Sequence, residues 1–188
     1  TDAEVILHLY EDMGERCLDK LKGMFAFALW DKRQKSLFMA RDRLGIKPLY
    51  YYAEDGRFAF ASEIKALLKL PFIKKEIDPR ALDLYFSLEY IPAPLSIYKG
   101  IRKLMPGSYL TLRGGEARER SYWSLGAYES GNAPDFHEAS ERLESLLKKA
   151  VKQHLVADVP VGVRLSGGLD SSMLAAMVWA HCRVQQKP

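Results

Sequence analysis

The chain has 188 residues, 48% of them hydrophobic, with 28 basic against 24 acidic side chains. That is enough apolar material for one large domain or two small ones. The net charge of +4 is too slight and too evenly spread to indicate a nucleic-acid partner, and clusters such as Lys32-Arg33 and Lys74-Lys75 read as solvated faces. Cys17 and Cys182 have neither metal-ligand spacing nor a disulfide framework, which suits a reducing cytoplasm. No apolar run reaches membrane-spanning length, and the start shows no signal peptide. The chain opens on Thr1 and closes on Gln185-Gln186-Lys187-Pro188, and it reads as a fragment.

Taken in order, residues 3–13 carry a helical stripe of Val5, Ile6, Leu9, Tyr10 and Met13. Runs at 23–30, 36–40, 48–52 and 57–61 follow, rich in aromatic and small apolar residues and separated by turn formers such as Glu54-Asp55-Gly56. They predict an antiparallel sheet. Phe25, Phe27 and Leu29 alternate with alanines, giving one bulky and one close-packed face. Arg41 and Asp42 read as a buried ion pair fixing the turn before Gly45, and Tyr50, Tyr51 and Tyr52 as core and rim. Helices are predicted over Ser62–Leu68 and Pro79–Tyr90, the second started by an Asp78 cap and a first-turn proline. The Pro-rich stretch 90–94 leads to a hairpin around Arg113-Gly114-Gly115. Residues 126–134 read as a linker, and an amphipathic helix runs from about Phe136 to His154.

Residues 166–172 read Ser-Gly-Gly-Leu-Asp-Ser-Ser, between the apolar run Val159–Val163 and a second one from Met173 to Val178. This predicts a short buried strand, a glycine turn and a helix start, which aims backbone N–H groups at one anion-sized spot. Gly167 and Gly168 allow close approach of a phosphate, Ser166, Ser171 and Ser172 add hydroxyls, and Asp170 offers a carboxylate to a divalent cation. No lysine follows the glycines, so this is not a Walker loop.

That heptad resembles the pyrophosphate loop of the ATP pyrophosphatases, which split ATP between its α and β phosphates. Upstream, Gly23–Asp31, Arg41–Tyr51 and Ala61–Leu67 resemble the later half of a class II glutaminase domain. The full succession, through Lys103–Tyr109 and Tyr122-Trp123 to the loop, is similar to the glutamine-hydrolysing asparagine synthetases. The fold this implies is α+β then α/β. Residues 1–125 would be the C-terminal part of an Ntn-type αββα glutaminase and 126–134 a linker. Residues 135–188 would be the first helix–strand–loop–helix of a parallel-sheet ATP pyrophosphatase domain.

The resemblance also implies roles. Asp2, in Thr1-Asp2-Ala3-Glu4, would hold the α-amino group of glutamine, although Thr1-x-x-Glu4 is also a capping box and any acid is favoured in a first turn. Ser166, Gly167, Gly168, Leu169, Asp170, Ser171 and Ser172 would bind ATP and pyrophosphate, with Asp170 placing Mg²⁺. Arg164 would join the ATP site through its backbone, standing where the family carries an apolar residue whose backbone meets adenine, and a long cation there needs a partner or an exit to solvent. No catalytic residue is expected in this chain. The family's nucleophile is an N-terminal cysteine, a role closed to Cys17 and Cys182, and Thr1 opens a helix where such a nucleophile opens a strand.

The activity implied is synthesis of asparagine from aspartate, glutamine and ATP through a β-aspartyl-adenylate, by a cytoplasmic ligase with small-molecule partners and no membrane or nucleic-acid partner. A homodimer is left open. Amidation of another carboxylate, a β-lactam-synthetase-like enzyme without glutaminase activity, and a non-catalytic association module are the alternatives.

Overall fold

The computed structural model describes residues 1–126 and 134–185. The chain divides into two compact units, Thr1–Gly126 and Ala127–Pro188. The first holds α1 (Asp2–Met13), β1 (Ala26–Asp31), β2 (Ser36–Arg41), β3 (Tyr50–Glu54), β4 (Arg57–Ala61), α2 (Ile64–Leu67), α3 (Pro79–Leu88), β5 (Ile101–Lys103), β6 (Ser108–Arg113) and β7 (Glu116–Ser121). The second holds α4 (Phe136–His154) and α5 (Leu169–Gln185).

All pairings in the first unit are antiparallel and form two sheets, ordered β1-β2-β6-β7 and β4-β3-β5. Strand alternation decides which side chains face which layer. Leu37, Met39 and Leu110 from the first sheet meet Leu49, Tyr51 and Leu104 in one cluster between the sheets. On the outer face of the first sheet, Phe38, Ala40 and Tyr109 pack with Cys17 and Leu18 of a 3-10 turn, against Tyr10 of α1. Phe25 and Phe27 join that outer cluster while Ala26 joins the inner one, so the bulky side of β1 lies under the helical layer. Outside the second sheet, Tyr52 and Ile101 are covered by Leu67 of α2 and by Ile73. Tyr51 and Tyr52 are core, and Tyr50 is half-buried.

Local chemistry sets the ends of these elements. In α1 the Thr1 hydroxyl accepts the Glu4 N–H at 3.3 Å, and the Thr1 amine donates back to Glu4 at 3.0 Å, a complete capping box. Asp78 caps α3 by accepting the Arg80 N–H at 2.9 Å. That helix stops at Leu88, short of Tyr90, because Glu89 takes a left-handed φ of 61°. The β6–β7 hairpin turns through Gly114 and Gly115 at φ 58° and 84°, the double positive φ that a two-residue turn of this hand demands. Strand β5 with its bridge Leu95↔Arg102, and the separate bridge Ile77↔Tyr98, carry no sequence signal strong enough to predict them.

Two expectations need correction. Arg41 and Asp42 do not pair with each other, because both side chains are spent on backbone. Arg41 donates to the carbonyls of Lys47, Leu104 and Gly45 at 2.6–2.7 Å. The Asp42 carboxylate, 1% exposed, accepts the N–H groups of Leu44, Ile46 and Lys47. The strand expected at Val159–Val163 does not form, and those residues are exposed. An apolar strand of a parallel sheet needs a partner strand and cover on both faces, and the described residues of the second unit contain no strand to pair with it. The linker expected at 126–134 lies, between its end residues, outside the described residues.

Two stability predictions follow from this packing. Asp42→Ala strands three amides beside a buried position and is expected to cost roughly 3 kcal/mol. Asp31→Ala, which frees only the exposed amides of Arg33 and Gln34, should cost less than about 1 kcal/mol in the same urea titration. Equal losses would show that the buried carboxylate is not the stronger tie.

Burial, with the neighbouring Glu119 carboxylate, pushes the Tyr51 hydroxyl up to about 12, and burial does the same to Tyr122. A group whose proton is held more tightly when folded stabilises the fold below its unfolded pKa of about 10, and that stability is lost as pH rises through 12. Tyr51→Phe and Tyr122→Phe should therefore each lose less stability than the parent between pH 9 and pH 11. The difference is expected to be on the order of 1 kcal/mol, smaller for Tyr122, which solvent partly screens.

Candidate functional site

The second unit places the Ser-Gly-Gly-Leu-Asp-Ser-Ser stretch where the sequence requires it, at the N-terminal end of α5. Gly167 takes φ 83° and supplies the turn, whereas Gly168 stays outside the positive-φ region. A Cβ on Gly167 would meet nothing within 4 Å, so its requirement for glycine is conformational and not steric. The amides of Gly167 and Gly168 donate to no protein acceptor among the described residues. The first N–H groups of any helix also lack an intrahelical partner. The loop thus offers a short row of unpaired donors with the positive end of α5 behind it.

The hydroxyls are already engaged. Ser171 Oγ accepts the Ser166 N–H at 3.3 Å, lies 3.0 Å from Ser166 Oγ and reaches the Gly168 carbonyl at 3.0 Å. Ser172 Oγ donates back to the same carbonyl at 2.8 Å. Ser166, Gly168, Ser171 and Ser172 are therefore one hydrogen-bonded group. The contact between Ser166 and Ser171 was not foreseen, although a five-residue spacing across a helix start is a signal that could have suggested it.

Asp170 sits in the first turn of α5, exposed and, among the described residues, with no hydrogen bond or ion pair. Leu169 begins the helix and is 85% exposed. Arg164 is exposed in the segment that does not form a strand, so the solvent exit its charge requires is present. Asp2 belongs to the first unit, where its Oδ1 accepts the Ala3 N–H at 2.9 Å and its Oδ2 has no partner among the described residues. Cys17 is fully buried under the outer face of the first sheet. Among the described residues no group of three or more His, Cys, Asp or Glu side chains could hold a metal, and no helix is long and apolar enough to cross a membrane. A cleft of about 610 Å³ in the second unit is lined from α4, residues 155–161 and the end of α5, and none of residues 166–172 borders it.

With this geometry in hand, comparison with known proteins places the chain. Residues 1–123 match the family model described as a glutamine amidotransferase domain, and the chain belongs to that family. Residues 142–185 match a second family model, described as asparagine synthase.

Among particular relatives, asparagine synthetase (glutamine-hydrolyzing) 3 of Bacillus subtilis is 42% identical over 189 residues, covering 100% of this chain and 30% of that protein. Asparagine synthetase (glutamine-hydrolyzing) 1 of the same organism is 36% identical over 94% of this chain and 28% of its own length. Amidase chyE of Penicillium rubens is 38% identical over 95% of this chain and 26% of its length. The chain thus spans less than a third of these relatives. The solved structure of the allosteric regulatory enzyme of purine biosynthesis covers 96% of this chain and 36% of its own at 21% identity, with a TM-score of 0.43 too low to bear on the fold.

The difference between the two glycines gives a local test. Gly167→Ala forces an L-residue to a positive φ and is expected to cost the start of α5 about 1–2 kcal/mol, while Gly168→Ala costs less. Carbon-13 Cα shifts over Leu169–Met173 should report helix fraying in the first variant only. Equal fraying in both would place the turn elsewhere.

Proposed function

We propose that this chain is part of a glutamine-dependent ligase that amidates a carboxylate, with aspartate converted to asparagine as the leading reaction. The observation that carries the reading is the succession, in one chain, of a glutamine amidotransferase match over residues 1–123 and an asparagine synthase match over residues 142–185. Residues 1–125 and 135–188 are then parts of two domains joined by 126–134.

In this reading the free Asp2 oxygen accepts from the ammonium of glutamine, a charge-assisted bond that suits a carboxylate. At the loop, the amides of Gly167, Gly168 and Leu169 receive the β and γ phosphates of ATP, joined by the hydroxyl of Ser166 and by those of Ser171 and Ser172 once these two turn from the Gly168 carbonyl. The substrate carboxylate attacks the α phosphorus. The bond between the α phosphorus and the bridging oxygen breaks, and pyrophosphate leaves carrying the charge that the loop stabilises. Ammonia released from glutamine then attacks the acyl carbon of the aspartyl-adenylate and expels AMP.

The unpaired carboxylate of Asp170 fits a divalent cation, though as a single ligand it requires the phosphates to supply most of the rest. Bound Mg²⁺ would neutralise charge on the leaving pyrophosphate. In this reading the Arg164 backbone, two residues before the loop, meets the adenine while its exposed side chain stays in solvent.

The test uses the full-length polypeptide that contains this chain, supplied with glutamine, aspartate, ATP and Mg²⁺. Asparagine, AMP and pyrophosphate are expected in equal amounts. Ser166→Ala and Asp170→Asn should each lower pyrophosphate release about 100-fold, with glutamine hydrolysis largely spared. ADP and phosphate as products would overturn the adenylation reading. Pyrophosphate release with no glutamine consumed would favour the β-lactam-synthetase-like alternative, and no turnover with any carboxylate the association module.

A further inference from the structure

We draw no further inference here: the strongest candidate, the exposed apolar surface of α3 and its flanks formed by Ile77, Leu82, Tyr85, Phe86, Leu88 and Tyr90, carries nothing because nothing in the structure shows what covers it.

Discussion

The first unit depends on one buried carboxylate. Asp42 follows β2, and every polar atom it carries ties down a different piece of chain. Its N–H donates to the Phe25 carbonyl at 2.8 Å, which holds the entry to β1. Its carbonyl accepts the amides of Gly45 and Gly107 at 3.0 and 2.9 Å, and its carboxylate takes the three amides of the loop between. Arg41 closes the same loop from the other side through three carbonyls, one of them Leu104 at the end of the second sheet. A charge this deep is costly unless each lone pair is used. Here that requirement ends β2, begins β6 and anchors both sheets at one point. Gly107 shows how little slack remains: at φ 62°, a Cβ there would lie 2.5 Å from the Trp123 carbonyl.

This explains which parts of the fold were legible in the sequence. Alternation in the strands and the cap residues of α1 and α3 act over a few positions, so Phe25, Ala26 and Phe27 reveal their faces without a structure. The hairpin at Gly114-Gly115 is equally local. The role of Asp42 is not, because its partners lie in sequence at 25, 44–47 and 107. A neighbouring Arg and Asp suggest mutual neutralisation on charge alone. Counting unsatisfied amides at the crowded turn gives the opposite result, since backbone donors and acceptors outnumber any other partners available there. Strand β5 fails for a related reason: three residues offer no period, and its place is set by pairing with β3.

In the second unit the order of legibility is reversed. The motif at 166–172 was recognisable and its helix start formed, yet the strand before it did not. A glycine turn and a helix start obey local rules, whereas a buried strand is stable only by burial on both faces and pairing at its edges. Val159, Val161, Val163 and Leu165 are exposed, and the described residues of that unit hold no strand to pair with them. Their apolar character remains informative, since four such side chains on one short exposed segment are costly unless other chain covers them.

The loop itself separates two kinds of hydrogen-bond donor. Its amides at Gly167 and Gly168 have no partner among the described residues, whereas the hydroxyls of Ser171 and Ser172 are bound to the Gly168 carbonyl. For a phosphate arriving at the proposed site, the amides and the helix end are available without rearrangement. Each hydroxyl must instead exchange a neutral hydrogen bond for a charge-assisted one, a trade that favours the ligand. Removing a serine hydroxyl then loses that gain but relieves no strain, while displacing Gly167 disturbs the amide row itself. Backbone geometry, fixed by one residue at φ 83°, is accordingly the stricter requirement at this site, and the serines act as adjustable donors around it.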